Sequence, residues 1–179
     1  MEPGKKTFDS RELALAAVLA ATYAAYVIGF GYVSSAFLQF RIVDALLPLS
    51  ILFGPPAVAG VTIGAFVGNL FNPFSLGTVD VVGGTIANFV ASGMGWWIGR
   101  RAFRGAWVTA IAVEIGVVTV VVGSYVVVLT TPGNVPIWVG WLTFLGSEAL
   151  PIGILGYPLL KTVDRSAISK KFLRARTVS

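Results

Sequence analysis

The stretch AWVTAIAVEIGVVTVVVGSYVVVL, residues 106–129, decides the fold. It is longer than the ~20 apolar residues that a helix needs to cross a bilayer, and Glu114 is the only charged residue in it. Further apolar segments lie on both sides of it, at residues 13–33, 42–53, 57–71, 79–99 and 137–160. The sequence therefore predicts an all-α membrane protein, a compact bundle of six transmembrane helices.

Composition supports this prediction. Of the 179 residues, 56% are hydrophobic and only 12% are charged, which is about half the charged fraction of a typical soluble domain. The mean hydropathy of +0.84 means that the outer surface, as well as the core, is apolar. We therefore expect membrane lipid around the protein and a multi-pass position in the cell membrane.

The second and third segments are short and are separated by Gly54-Pro55-Pro56. Neither proline has an amide hydrogen to donate, and each clashes with the preceding helical turn, so one helix cannot run through them. We predict a tight hairpin at this point.

The lysines and arginines fall into three clusters, and only Arg41 lies outside them. The clusters are Lys5, Lys6 and Arg11; Arg100, Arg101 and Arg104; and Lys161, Arg165, Lys170, Lys171, Arg174 and Arg176. A cytoplasmic N-terminus would put all three on the cytoplasmic side, where such residues are retained. We predict cytoplasmic termini, with an N-terminal segment at 1–12, a transmembrane domain at 13–160 and a basic tail at 161–179. Charge placed in this way argues against a nucleic-acid partner.

The chain has no cysteine and no histidine. This excludes disulfide scaffolds, zinc fingers, iron–sulfur clusters, haem ligation and Cys or His nucleophiles, and we expect no cofactor and no metal. A phosphate-binding loop is also absent, because the only Gly-Lys pair is Gly4-Lys5, followed by Lys6. Any pumping would therefore draw its power from a partner or from an ion gradient.

Small residues recur at four-residue spacing in two segments, and in lipid such lines let helices approach closely. The third segment has one line of glycines, which favours internal packing, and the first has two adjacent lines of alanines. The alanines suit either internal packing or the docking of another membrane subunit. The lines are Gly60, Gly64 and Gly68; Ala16, Ala20 and Ala24; and Ala17, Ala21 and Ala25.

Polar residues within apolar segments are few: Asp44, Asn69, Asp80, Asn88, Glu114 and Glu148, with Arg41 just before the second segment. Ionisable groups at membrane depth cost several kcal/mol and usually face a cavity or a partner. Glu148 lies near the midpoint of the sixth segment, too deep to reach the surface, so it needs a partner or a ligand.

Simpler interpretations stay open for the other polar residues. Arg41 and Asp44 are three residues apart and could pair with each other. Asn69 and Asp80 flank the turn at residues 72–74 and could cap helices. Glu114 could extend toward Arg100 or Arg101.

Four motifs together resemble those of the QueT family: QFRIVDAL at 39–46, GVTIG through GNL at 60–70, DVVGGTIA at 80–87, and EAL at 148–150 with LGYPL at 155–159. The resemblance covers roughly residues 10 to 163. Asp44 stands where the family more often has Glu, and Pro151 interrupts the sixth helix.

The resemblance implies a substrate-binding S component of an energy-coupling factor transporter, linked to queuosine precursors. Such proteins have six helices, bind a micronutrient near the outer face and lack their own ATPase. A transmembrane coupling subunit, driven by two ATPase subunits, docks on small residues of the first helix. Ala16, Ala17, Ala20 and Ala21 stand in that place.

A 7-deazaguanine presents two neighbouring N–H donors beside a carbonyl, which a carboxylate and an amide can hold while an aromatic ring stacks on the base. Glu148 is the candidate carboxylate and Asn69 the candidate amide. Trp138, Trp141 and Phe71 lie near the outer ends of helices and are candidates for stacking, although Trp138 suits an interfacial anchor better. We expect Arg41, Asp44 and Asp80 to complete the site.

Three other classes of protein stay open. A stand-alone, ion-coupled secondary transporter of another solute would use Glu114 and Glu148 as a proton relay. A structural membrane subunit would bind no small molecule. An intramembrane enzyme would have only two carboxylates for catalysis.

Overall fold

The computed structural model describes residues 8–31, 41–131, 133, 135–167, 169–170 and 172, and all regular structure among them is helical. The elements in chain order are α1 (Ser10–Gly29), a 3₁₀ helix (Ile42–Leu46), α2 (Leu49–Phe53), α3 (Pro55–Phe71), α4 (Thr78–Gly99), α5 (Ala106–Thr130), α6 (Ile137–Glu148), a π-helical segment (Ala149–Leu155) and α7 (Gly156–Arg165). The all-α fold is therefore confirmed.

A capping box starts α1. The Asp9 carboxylate accepts hydrogen bonds from the backbone amides of Arg11 and Glu12, and the Glu12 carboxylate accepts one from the Asp9 amide. These bonds satisfy amides that have no partner inside the helix. The helix thus begins three residues before the apolar run does.

The second predicted segment is not one helix. It divides into the 3₁₀ helix Ile42–Leu46 and the short α2, with Pro48 between them. Pro48 has no amide hydrogen to continue the bonding pattern that ends with Leu47 donating to the Asp44 carbonyl. Beyond α2, Gly54 adopts a left-handed φ of 69° and α3 begins at Pro55, which is the predicted break.

The sixth predicted segment is also interrupted. Helix α6 ends at Glu148, and the next seven residues form a wider π-helical turn around Pro151 before α7 begins. Proline removes a backbone hydrogen bond, and such π turns occur often at functional sites. Glu148 therefore lies at a break in the helix.

Helix α1 packs against α3 through the glycine line. The other long helices pack in chain order, so that α3 contacts α4, α4 contacts α5 and α5 contacts α6. A Cβ added at Gly64 would lie 2.6 Å from the Tyr23 Cβ and 2.8 Å from the Ala20 carbonyl oxygen. At Gly60 it would lie 2.8 Å from the Ala16 carbonyl oxygen. The predicted internal packing of the glycine line is therefore observed.

Three helical stretches in the described part of the chain are long and apolar enough to span a membrane: Ser10–Gly29, Ala106–Thr130 and Ile137–Arg165. Two shorter apolar stretches, Ile42–Phe53 and Pro55–Phe71, accompany them. These features are those of a membrane protein. The count of six spans and the cytoplasmic position of both termini stay predictions.

Candidate ligand-binding site

Polar side chains from five helices and the 3₁₀ region meet inside the bundle toward the α3–α4 loop. Arg41 donates a hydrogen bond of 3.0 Å to the Asn69 side-chain oxygen and lies 3.9 Å from an Asp80 carboxylate oxygen. The Asn69 side-chain nitrogen donates to the Asp80 backbone carbonyl at 3.2 Å. All three side chains are buried. Arg41 thus compensates the Asp80 charge, and it is also close enough to Asp44 to interact with it electrostatically.

Asp80 lies in the first turn of α4, but Gly77 is the residue at the N-cap. The Asp80 carboxylate accepts hydrogen bonds from the Tyr125 hydroxyl at 2.7 Å, from the Ser75 hydroxyl at 3.3 Å and from the Leu76 amide at 3.4 Å. The helix-cap interpretation is therefore wrong for Asp80. The carboxylate instead connects α4 to α5 and to the preceding loop.

A second group of buried side chains centres on Asp44. The Tyr23 hydroxyl donates to the Asp44 carboxylate and accepts a 3.0 Å hydrogen bond from the Asn88 side-chain nitrogen. The Glu148 carboxyl group lies close enough to Asp44 for the two carboxyl groups to interact electrostatically. Arg41 is close enough to interact electrostatically with Asp44 and Glu148, so the two groups form one polar cluster.

Two buried acceptors in this cluster have no hydrogen-bond partner among the residues that the structure describes: the Glu148 Oε2 and the Asn88 Oδ1. A buried polar atom without a partner costs about 1–3 kcal/mol. Native proteins keep few such atoms, and those they keep often have a functional reason. The described residues contain no group of ligating side chains suited to a metal ion. The two unpartnered acceptor oxygens therefore suit a ligand that donates hydrogen bonds.

A groove of about 300 Å³ opens at the same end of the bundle. Its lining includes Asn69, Asn72, Ser75, Gly77 and Val81. This volume is at the lower end of the ~300–1,000 Å³ range of small-molecule sites. Asn69 borders both the groove and the cluster, so the two adjoin.

Trp141 lies apart from the cluster. Its ring is 40% exposed, and its indole nitrogen donates a 2.9 Å hydrogen bond to the Ser124 hydroxyl on α5. Of the six predicted site residues, the structure brings together Arg41, Asp44, Asn69, Asp80 and Glu148, and leaves Trp141 on the surface of the bundle.

Glu114 is buried elsewhere, and its predicted extension toward the basic cluster is wrong. One carboxylate oxygen accepts a 3.2 Å hydrogen bond from the Ser50 hydroxyl, and the other has no partner in the described part of the chain. The guanidinium groups of Arg100 and Arg101 instead lie over the rings of Trp96 and Trp97, at 5.3 and 4.3 Å from the ring centroids. Gly95 has no side chain, which gives Glu114 room to stay inside the bundle.

The alanine lines of α1 divide between two surroundings. Ala16 is buried, and its backbone and that of Ala20 contact Gly60 and Gly64. Ala17 and Ala21 are exposed. Two of the four predicted docking residues therefore take part in internal packing, and two lie on a free surface of the described chain.

Sequence reasoning left Tyr23, Asn88 and Tyr125 out of the predicted site. Each lies in an apolar helix and joins the cluster through its side chain. A buried tyrosine hydroxyl usually has a polar partner, which is the signal that could have pointed to Tyr23 and Tyr125.

Comparison with known proteins places this chain in a family. A family model described as QueT transporter matches residues 13–165, most of the chain. The chain belongs to the QueT transporter family. Membership makes it a membrane transporter of a small molecule, consistent with a protein that is not an enzyme. No curated protein and no solved structure gives a significant match.

Proposed function

We propose that this QueT family member is the substrate-capture subunit of an ATP-driven importer, and that it binds a 7-deazaguanine precursor in the polar cluster. The observation that carries the proposal is the pair of buried, unpartnered acceptors on Glu148 and Asn88. A transporter site has to exchange protein partners for ligand, so open acceptors inside the bundle are expected before ligand binds.

Within this proposal Glu148 contacts the ligand directly. Its Oε2 is free to accept, while its position at the π-helical break holds it at depth. Arg41, Asn69 and Asp80 form the outer wall, and Asp44 with Tyr23 forms the floor that holds Glu148. Trp141 takes no part in this arrangement because its indole is bonded to Ser124.

Replacing Glu148 by glutamine tests the contact. Glu148→Gln retains the size of the side chain but replaces one acceptor oxygen by a donor group. We expect binding to weaken by roughly 1.5–3 kcal/mol, the range for hydrogen bonds to charged groups. The measurement is a titration of detergent-purified protein with a 7-deazaguanine.

Glu114→Gln is the matched control, because Glu114 is equally buried and is bonded to Ser50 instead of to this cluster. We expect it to bind with nearly wild-type affinity. Wild-type affinity in Glu148→Gln would contradict this contact and would indicate that the ligand binds in the groove bordered by Asn69.

We infer further that the coupling subunit docks on the exposed alanines of α1. Ala17 and Ala21 are one turn apart and exposed, while Ala16 and Ala20 face α3. Small exposed side chains allow the backbone of another helix to approach. Two ATPase subunits attached to the coupling subunit would supply the energy of ATP hydrolysis, because this chain has no phosphate-binding loop of its own.

Leucine at position 17 tests this docking. Ala17→Leu should separate the two backbones and abolish ATP-driven uptake in vesicles that hold all four subunits, while isolated protein still binds ligand. Thr22→Leu is the control, because Thr22 is also exposed but lies roughly 140° around the helix from Ala17. It should leave uptake unchanged, and equal uptake by both variants would contradict this docking surface.

The alternative is a stand-alone secondary transporter that uses Glu114 and Glu148. The unpartnered Glu114 oxygen favours it, because a buried carboxyl group can carry a proton. Uptake by the purified chain alone, driven by an ion gradient, would support this alternative, and uptake that requires ATP and the other subunits would reject it.

A further inference from the structure

We propose that Asn88, together with Glu148, reads a pair of N–H donors on the ligand, and that Asn88 rather than Asn69 is the amide that sets specificity. This inference rests on the proposed function. It concerns which side chain recognises the ligand edge, and Asn88 belongs to α4, a different helix from the one that ends at Glu148.

The amide orientation of Asn88 is fixed by its neighbours. Its side-chain nitrogen donates to the Tyr23 hydroxyl at 3.0 Å and to the Gly84 carbonyl oxygen at 3.2 Å. Tyr23 in turn donates to Asp44. Turning the amide over would leave the Gly84 carbonyl facing another acceptor, so the nitrogen belongs where it is. The Asn88 Oδ1 is therefore the atom left open.

The second open acceptor is held by the same network. Asp44 receives the hydrogen bond from Tyr23 and lies close to the Glu148 carboxyl group. Only Tyr23 and Asp44 separate Asn88 from Glu148 along this chain of contacts. Two acceptors without donors, held in one rigid buried network, match a ligand edge that offers two donors.

Asn69 does not have this freedom. Its oxygen accepts from Arg41 and its nitrogen donates to the Asp80 carbonyl, so both ends of its amide already bind protein. Asn69 thus positions the wall, while Asn88 is left to accept from the ligand. The two asparagines are equally buried, which makes them a matched pair for an experiment.

The test measures a ratio of affinities. Wild type, Asn88→Leu, Glu148→Gln and Asn69→Leu are each titrated with 7-deazaguanine and with 7-deazahypoxanthine, which lacks the exocyclic amine. In wild type we expect the amine-bearing base to bind at least about tenfold more tightly, because the amine-free base leaves a buried acceptor unpaired. Asn88→Leu should bring the ratio close to one, while Glu148→Gln and Asn69→Leu should weaken the binding of both ligands and preserve the ratio.

The outcomes separate this inference from the proposed function. A wild-type ratio near one, or a ratio that Asn88→Leu leaves unchanged, overturns the inference while deazaguanine binding stands. A ratio lost in Asn69→Leu and kept in Asn88→Leu assigns specificity to Asn69 and also overturns it. Absence of binding of either base to wild type overturns the proposed function and the inference together. Should Asn88→Leu fail to fold, Asn88→Ala with the same two ligands replaces it and carries the same expected ratio.

Discussion

At the scale of single residues, burial of carboxylates depends on what the neighbouring helix leaves room for. Glu114 lies inside the bundle because Gly95 on α4 has no side chain, and a Cβ there would lie 2.7 Å from the Glu114 carboxyl carbon. Sequence reasoning placed Glu114 near the basic cluster because it counted turns along one helix. The contact with Gly95 depends on how two helices are rotated, which hydropathy does not report.

Gly95→Ala should therefore destabilise the protein. We expect a loss of roughly 1–3 kcal/mol, typical of overpacking in a filled interior, and a lower melting temperature in detergent. Gly93→Ala is the control on the same helix, because nothing lies within 4 Å of its added Cβ. It should be neutral or stabilising by up to about 1 kcal/mol, since alanine favours helix over glycine. A Gly95→Ala variant as stable as Gly93→Ala would contradict the packing of Glu114.

At the scale of elements, the α1–α3 contact sets the position of Tyr23 in the polar cluster. Gly64 lies directly against Tyr23, and Tyr23 connects Asn88 to Asp44. A line of small residues that looks purely structural in the sequence therefore determines where a polar side chain stands. If the polar cluster binds the ligand as proposed, close approach of the two helices is a condition for binding as well as for stability.

Alanine at position 64 tests that connection. Gly64→Ala should push α1 away from α3 and displace Tyr23. We expect a lower melting temperature, and an affinity for a deazaguanine that falls by about tenfold or more. Gly116→Ala, where the added Cβ meets nothing within 4 Å, should lower neither. Normal affinity in a destabilised Gly64→Ala variant would show that the cluster does not depend on this contact.

The helices themselves could be predicted well wherever apolar runs are long. The predicted segment 79–99 compares with Thr78–Gly99, and 106–129 with Ala106–Thr130, because a continuous apolar run with internal backbone bonding leaves few alternatives in lipid. The division at Pro48 was missed, because the run Ile42–Phe53 is apolar on both sides of it. Hydropathy averages over such a break.

The candidate site could be predicted in part, from depth. Arg41, Asp44, Asn69, Asp80 and Glu148 stood out as polar groups in apolar surroundings, and the structure gathers them. Which oxygen stays unpartnered could not be predicted, since that depends on three-dimensional neighbours such as Gly84 and Tyr23 around Asn88.

At the scale of the whole molecule, charge predicts orientation. Only Arg41 among the basic residues lies outside the three clusters, so all the clusters share one side if six segments cross. The polar cluster and its groove would then lie toward the outer face, since α4 runs from Asp80 at that end to the basic loop at the other.

Single-cysteine variants test this orientation, because the chain has no cysteine of its own. Pro3→Cys and Val178→Cys should resist an impermeant thiol reagent in intact cells, and Asn134→Cys, in a predicted outer loop, should react. Ready labelling at position 3 or 178 would contradict the predicted cytoplasmic position of that terminus.

The central claim is that the isolated chain binds a 7-deazaguanine, and ligand-dependent stability of the detergent-purified protein tests it most directly. A ligand at a hundred times its Kd stabilises a protein by about 2.7 kcal/mol. We predict a melting temperature that rises with the concentration of a deazaguanine and stays constant with common vitamins. A melting temperature that no deazaguanine raises, while some unrelated solute does, would contradict the account.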